Sequence, residues 1–183
     1  MSISSSPLPS VSTKYKAVIA AALLSFAATL PSQSREPSLP PGCEAVQVPA
    51  GNKVSMHAYA VGFQIYQWIV TTSRWDFVAP AAVLFADAGD HGIIGVHFAG
   101  PTWMSNSGSS VVGARLASCV PDPSAIPWLL LGAVSSQGPG PLDQTTFIQR
   151  VNTTGGVAPA RAGQANETVR IPYAAEYYFY RAE

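Results

Sequence analysis

The sequence predicts an all-β domain, either a single antiparallel β-sandwich or a flattened β-barrel. Runs of alternating, aromatic and β-branched residues recur along the chain, and glycine and proline separate them. Beyond the N-terminal region, no window shows the apolar period of an amphipathic helix. The chain has 183 residues, of which 48% are hydrophobic, so it can form one domain with a sizeable core.

Residues 1–34 have the composition of a secretory signal peptide and the start of a linker. Lys14 and Lys16 precede an apolar run, Ala17–Leu30, that is shorter than the roughly 20 residues needed to span a bilayer. Cleavage after Ala27 or Ser34 would suit the small residues found there. A membrane anchor or a buried helix is the alternative. The sequence therefore predicts a secreted protein, extracellular or associated with the cell wall.

The predicted organisation continues with a Pro-rich linker over 35–42 and the all-β domain over 43–183. The domain contains two cysteines, Cys43 and Cys119. In an oxidising compartment they most simply form one disulfide, although two free buried thiols remain an alternative. No Cys-x-x-Cys motif is present, so neither a redox motif nor a cysteine zinc cluster is indicated.

The charge balance argues against nucleic acid and, after signal cleavage, against a membrane as partner. Ten basic and ten acidic residues cancel, and removal of residues 1–34 would leave a net charge near −2. Only 11% of the residues are charged, so solubility depends on polar side chains and on any glycans. Asn152 and Asn166 lie in N-glycosylation sequons and predict a glycoprotein if the host modifies them.

Alternation and turn residues predict eight or nine strands. Gly62 is expected to break the first alternating run, Thr71–Ser73 to form a hairpin turn, and Gly100-Pro101 to end a strand before a loop. Residues 128–135 are apolar on every side, which predicts a fully buried strand. The predicted strands are Lys53–Ala60, Phe63–Val70, Trp75–Ala79, Gly92–Ala99, Val111–Ser118, Trp128–Ser135, Thr146–Asn152, Thr168–Ile171 and Ala174–Tyr180.

The stretch from Leu84 to Ser109 combines histidines, aspartates, a tryptophan and glycines, and it is the main candidate site. A cleft with aromatic platforms could bind a glycan or another small molecule. Trp103 is expected in a loop, where it could stack on a ligand, whereas the other tryptophans are more typical of a core. The candidate ligand-binding residues are Asp87, His97, Trp103, Arg150 and Tyr66, with Trp68, Trp75 and Trp128 as further platforms.

No cofactor is predicted, but a zinc or copper site is an alternative. His91 and His97 are six residues apart, which places both on one face of an uninterrupted strand, and His57 lies on the polar face of its own strand. Asp87 or Asp90 could add an oxygen ligand. The structural alternative is that His91 belongs to a turn and that His97 is a core histidine.

Catalysis is left open by the sequence, and a structural or ligand-binding role is favoured. No nucleotide-binding or familiar hydrolase motif is present. A metal-dependent or carboxylate-based enzyme could use Asp87, His91 and His97, with Asp90 as the second carboxylate, but two aspartates in a Gly-rich turn more often cap their own backbone. Gln149 and Arg150 must face opposite ways on a strand. If Arg150 points inward it needs a carboxylate partner, and we expect Asp87.

Long stretches of the chain resemble the secreted family of domain of unknown function 3455. They are VPAGNKVSMHAYAVGFQIYQW, LFADAGDHGIIGVHFAGPTW, DPSAIPWLLL, FIQRVNTTGG and PYAAEYYFYR, and the resemblance covers roughly Ala45 to Arg181. The resemblance implies no activity. The chain departs from the family pattern at Met104, where an acidic residue is frequent. The pattern corresponds here to Gln64, Tyr66, Asp87, Gly95, His97, Gly100, Pro101, Trp103, Gly108, Pro127, Trp128, Gln149, Arg150, Asn152, Gly155, Gly156, Tyr173 and Tyr178.

Overall fold

A computed structural model of the chain describes residues 36–183. The predicted signal peptide and its cleavage sites lie outside the described residues. A 3₁₀ turn at Glu44–Val46 precedes eight β-strands, and this part of the chain contains no α-helix. The strands are β1 Asn52–Ile69, β2 Arg74–Phe85, β3 Ile93–Phe98, β4 Thr102–Ser105, β5 Ser110–Cys119, β6 Trp128–Gln137, β7 Phe147–Gly155 and β8 Thr168–Ala182.

The eight strands form a closed antiparallel barrel in sequence order. Each strand pairs with the next, and β8 pairs with β1 to complete the ring. Connections therefore alternate between two ends of the barrel. The β1–β2, β3–β4, β5–β6 and β7–β8 connections form one end, which we call the upper end, and the other connections form the lower end. The predicted all-β class is confirmed.

Three predicted element boundaries are wrong, and one strand was not predicted. β1 runs without a break through Gly62, because the missing side chain lets β2 approach closely: a Cβ there would overlap the Ala81 carbonyl oxygen. β2 continues past Ala79 to Phe85, and β8 is one strand over Thr168–Ala182 rather than two. β4 lies where a loop was expected, so Trp103 is a strand residue.

The barrel interior is filled from the lower end by one hydrophobic cluster. Leu84, Val111, Leu142, Ile148 and Phe179 are fully buried there. Side chains alternate along each strand, so every second residue faces this interior. Near the upper end the inward positions no longer fill the space between the strands, and a cavity remains.

A second hydrophobic cluster lies outside the barrel wall, beneath the N-terminal segment 36–51. Val46 and Val48 pack there against Trp128, Leu130 and Tyr180. This explains why residues 128–131 are apolar on both faces: one face meets the interior and the other meets the segment. The predicted full burial of residues 128–135 is wrong for the remainder of β6, which is more open, and Val134 there is 66% exposed.

One disulfide joins the N-terminal segment to the barrel. Cys43 and Cys119 form the disulfide that was predicted from the presence of two cysteines in the domain, and their Cα atoms lie 5.3 Å apart. Gln149 provides a second link, because its Nε2 donates to the Val46 carbonyl over 2.7 Å and its Oε1 accepts from the Tyr180 hydroxyl over 2.9 Å. Within residues 36–183, no helical segment has the length and hydrophobicity to cross a membrane.

Candidate functional site

A cavity of about 690 Å³ opens at the upper end of the barrel. Its volume lies in the range typical of small-molecule sites, and most of its wall is apolar. Strands from all round the barrel contribute to it, together with the β3–β4 turn and the β5–β6 connection. The lining residues are Gln64, Tyr66, Phe77, Val78, Pro80, His97, Gly100, Pro101, Trp103, Gly113, Ala114, Arg115, Ile126, Pro127, Leu129, Leu131, Arg150 and Tyr177.

The deepest part of the wall is aromatic. The His97 and Trp103 rings are stacked with their centroids 4.2 Å apart, because the two residues are direct cross-strand neighbours. Tyr177 packs edge-on against both rings, at 5.2 Å from His97 and 5.3 Å from Trp103. All three side chains are almost completely buried. The ring stack therefore forms a rigid surface against which a flat apolar group could pack.

His97 is an uncharged member of this wall. Burial lowers its pKa to about 3, the Arg150 charge acts in the same direction, and the hydrogen bond with Thr102 opposes both. Nδ1 of His97 lies 2.9 Å from the Thr102 carbonyl oxygen. A neutral ring must place its proton on Nδ1 to make that bond, which leaves Nε2 as an acceptor.

Arg150 brings a positive charge to the cavity wall. It lies on β7 directly opposite Leu129, and its Nε and Nη2 donate to the Pro127 carbonyl over 3.1 and 2.8 Å. Among the described residues, no carboxylate oxygen lies within 4.0 Å of the guanidinium. The predicted pairing of Arg150 with Asp87 is therefore wrong, and the Pro127 carbonyl is the hydrogen-bond partner of Arg150. Gln149 faces the other way, as the alternation requires.

Three residues of the wall each carry a polar group that is buried without a hydrogen-bond partner in the described part of the chain. The groups are Nε2 of Gln64, Nε1 of Trp103 and the hydroxyl of Tyr177. The Tyr173 hydroxyl, close behind, is also unpaired: Tyr177 and Gln64 are its polar neighbours, but neither meets hydrogen-bond geometry. Buried polar groups are nearly always paired, so each exception needs an explanation. All four groups can act as donors.

Asp87 and His91 lie at the lower end of the barrel, away from the cavity opening. They sit in the exposed β2–β3 loop, where Asp87 Oδ1 accepts from the Gly89 amide over 2.7 Å and lies 3.2 Å from His91 Nδ1. The Gly89 amide, more than any other group, holds the pKa of Asp87 below its usual range. Asp90 adopts a positive φ of 59° in the same turn. These aspartates are thus placed as turn formers.

His57 lies on the outer face of the barrel. Its Nε2 is 2.8 Å from Glu176 Oε2, and its ring stacks on Tyr178 with centroids 4.0 Å apart. Glu176 also accepts from Asn152 Nδ2 over 2.9 Å and from the Tyr178 hydroxyl over 3.0 Å. The bond with His57 is the largest of the effects that lower the pKa of Glu176, whereas partial burial raises it.

The three histidines do not share a site. His57 is outside the barrel, His91 is in a lower loop and His97 is inside. In residues 36–183, no three His, Cys, Asp or Glu side chains are grouped as metal ligands. The proposed enzyme constellation of Asp87, His91 and His97 is likewise not assembled.

The aromatic candidates divide between cavity and surface. Tyr66 lines the cavity, and its hydroxyl donates to the Gly156 carbonyl over 2.7 Å. Trp68 and Trp75 form an edge-on pair outside it, with Trp75 Nε1 bonded to the Arg161 carbonyl. Trp128 belongs to the outer cluster. Trp103 does line the cavity, but as a buried strand residue that is 1% exposed rather than as a loop platform.

Several cavity residues were not predicted as site residues. Gln64 and Tyr177 carry unpaired groups, and Leu129 faces Arg150. The alternation of AAEYYFY in β8 places Tyr177 on one face with Tyr173 and Ala175, which is a usable signal. Nothing local, however, shows which face of β8 is the interior, because Tyr178 and Tyr180 on the other face are buried as well.

The fold and the cavity define a closed eight-stranded barrel with an interior site large enough for a small molecule. The chain belongs to the family described as "Protein of unknown function (DUF3455)", which matches residues 49–181. No curated protein and no solved structure matches it. Tyr66, His97, Trp103 and Arg150 belong both to the residues that carry the family resemblance and to the cavity wall.

Proposed function

We propose that this protein is an exported binding protein that holds a small, largely apolar molecule inside its barrel. One observation carries the proposal: a cavity of about 690 Å³ whose wall contains three buried, unpaired polar groups, on Gln64, Trp103 and Tyr177. Leaving a buried donor unsatisfied costs about 1–3 kcal/mol. A bound molecule with acceptor atoms would supply the missing partners and offset that cost.

The chemistry of the wall favours an apolar or aromatic molecule over a glycan. Leu129, Leu131 and Ile126 line the cavity together with the stacked His97–Trp103 pair. Eight-stranded barrels have an interior wide enough for one small ligand. A few fixed polar groups in a mostly apolar cavity are typical of sites that orient such a ligand.

Export is part of the proposal and has its own support. The signal-peptide composition of residues 1–34 and the Cys43–Cys119 disulfide both suit an oxidising compartment outside the cell. Both sequon asparagines are exposed: Asn166 lies in the β7–β8 loop, and Asn152 lies on β7 with its amide donating to Glu176. N-terminal sequencing and mass measurement of protein recovered from culture medium would test cleavage and glycan attachment together.

Binding can be tested with N-phenylnaphthylamine, a neutral aromatic probe that becomes fluorescent in apolar surroundings. We expect one probe to bind per chain. In Leu129→Trp an indole projects into the cavity, and the steric conflict should weaken binding roughly tenfold or more. Val134→Trp is the matched control, since Val134 is on the same strand but 66% exposed on the outside.

The outcomes separate a binding protein from a structural one. Equal probe binding by the wild type and Leu129→Trp would place the probe outside the cavity and contradict the proposal. A folded protein that binds no aromatic probe, neutral or anionic, would favour a purely structural role. Circular dichroism of each variant establishes that the barrel is intact before binding is compared.

A further inference from the structure

We infer that the bound molecule carries an anionic oxygen group, such as a carboxylate, and that Arg150 pairs with it inside the cavity. This rests on the proposed function and specifies its ligand class. The inference rests on one arrangement: the Arg150 guanidinium, which has no counter-ion among the described residues, shares a mostly apolar cavity with residues that carry unpaired donor groups.

Arg150 has hydrogen-bonding capacity to spare. A guanidinium carries five N–H donors. The Pro127 carbonyl accepts one hydrogen bond from Nε and one from Nη2. Both N–H groups of Nη1 and the second N–H group of Nη2 therefore remain available to a ligand. The contact with Pro127 also fixes the orientation of the planar group. A carboxylate suits such a fork because it can accept two parallel hydrogen bonds.

The protein offers no negative charge to neutralise Arg150. None of the described residues lining the cavity is Asp or Glu, and the second charged residue there is Arg115, which is also basic and is exposed at the opening. His97 is uncharged at neutral pH and so contributes no charge of either sign. The potential in the cavity is therefore positive, and the desolvation of the partly buried Arg150 cation carries a cost that an anionic ligand would offset.

The unpaired neighbours point to the same ligand chemistry. Trp103 Nε1 and Gln64 Nε2 can only donate, and the Tyr177 hydroxyl can donate as well. These side chains are 1%, 2% and 0% exposed. A ligand rich in acceptor oxygens would satisfy them, whereas a cation would be repelled by the Arg150 charge and would find donors rather than acceptors at these three groups.

A matched ligand pair tests the inference. Naphthoate and naphthamide have the same shape and differ in charge, and each can displace N-phenylnaphthylamine at neutral pH. Calorimetric titration of each compound measures the ratio of their affinities a second time, without the fluorescent probe. Because hydrogen bonds to charged groups are the stronger ones, we expect the wild type to prefer naphthoate by about tenfold or more.

Variants then locate the charge that is responsible. Arg150→Gln should reduce the preference to parity, since the preference is the ratio of two affinities measured on the same variant. Arg170→Gln makes the same change outside the cavity, where Arg170 lies over the Phe63 ring, and should keep the preference. Arg150→Lys keeps the charge and should retain part of the preference, and it replaces the glutamine variant if that variant does not fold.

The results distinguish failure of the inference from failure of the proposed function. If the neutral probe binds in the cavity but the wild type shows no preference for naphthoate, the inference is overturned and the binding function stands. The inference is also overturned if Arg115→Gln, rather than Arg150→Gln, removes the preference, since the anion would then be held at the opening. If neither probe nor naphthalene compound binds in the cavity, the proposed function itself fails.

Discussion

Removing one hydroxyl from either of two tyrosines on β8 should change stability in opposite directions. The Tyr177 hydroxyl is fully buried and has no partner among the described residues. The Tyr180 hydroxyl, on the other face of the same strand, is also buried but donates to Gln149 Oε1 over 2.9 Å. Tyr177→Phe therefore removes an unsatisfied group, whereas Tyr180→Phe breaks a hydrogen bond.

The magnitudes follow from the cost of an unsatisfied group. Desolvating a polar group without a partner costs about 1–3 kcal/mol, so Tyr177→Phe should stabilise the unliganded protein by about 1 kcal/mol, the small void left by the oxygen cancelling part of the gain. Tyr180→Phe loses its bond and leaves Gln149 Oε1 unpaired, which should cost about 1–3 kcal/mol. The two variants should differ by about 2–4 kcal/mol.

Urea unfolding of the disulfide-bonded protein without ligand measures this difference. Equal m-values for the wild type and both variants would show that the changes in midpoint reflect stability. The reasoning is refuted if Tyr177→Phe loses as much free energy as Tyr180→Phe. In that case the Tyr177 hydroxyl is already paired, for example with the neighbouring Tyr173 hydroxyl, and it gives no argument for a ligand.

Three other changes have definite expected outcomes. Trp103→Ala should destabilise the fold by about 3–5 kcal/mol in urea unfolding, because its ring is buried between the interior cluster and the cavity; a loss below 1 kcal/mol would show that the ring is not part of the core. Replacing Cys43 and Cys119 with alanine should cost about 2–5 kcal/mol, measured against the wild type with and without reductant. If reductant alone has no effect on the wild type, the bond is not formed. As the pH falls from 6.5, the ordinary pKa of histidine, to about 3, the pKa of His97 in the folded protein, stability should decrease by about 1.4 kcal/mol per pH unit. The reason is that the unfolded chain binds a proton on His97 that the buried ring does not bind. His97→Gln should flatten this slope, and equal slopes in the wild type and His97→Gln would contradict the burial argument.

Much of the fold could be predicted because its signals are local. Thr71–Ser73 does form the turn of the first hairpin, and Gly100-Pro101 does separate two strands. The same reasoning failed at Gly62, which does not end a strand. Its missing side chain instead allows β1 and β2 to approach closely. It also missed β4, since Thr102–Ser105 is too short to show a clear alternation.

Of the five candidate ligand-binding residues, Tyr66, His97, Trp103 and Arg150 line the cavity, whereas Asp87 does not, because its proximity to His97 in sequence was taken for proximity in space. Asp87, His91 and His97 are close along the chain, but the β2–β3 loop and the inward face of β3 place them in different surroundings. Tyr66, Trp103 and Arg150 are far apart in sequence and meet at one cavity. Only the closure of the barrel brings them together.

The sequence by itself determined the all-β class, the positions of most strands and the disulfide between the two cysteines. Strand positions depend on alternation and turn residues, which are local signals, and two cysteines in one domain leave a single possible pair. The tertiary structure decided which face of each strand is the interior. Arg150 and Gln149 are both enclosed, one by the barrel and the other by the N-terminal segment, so their own alternation could not assign them. That assignment depends on the pairing of β8 with β1 and on the docking of residues 36–51, which are contacts between distant parts of the chain.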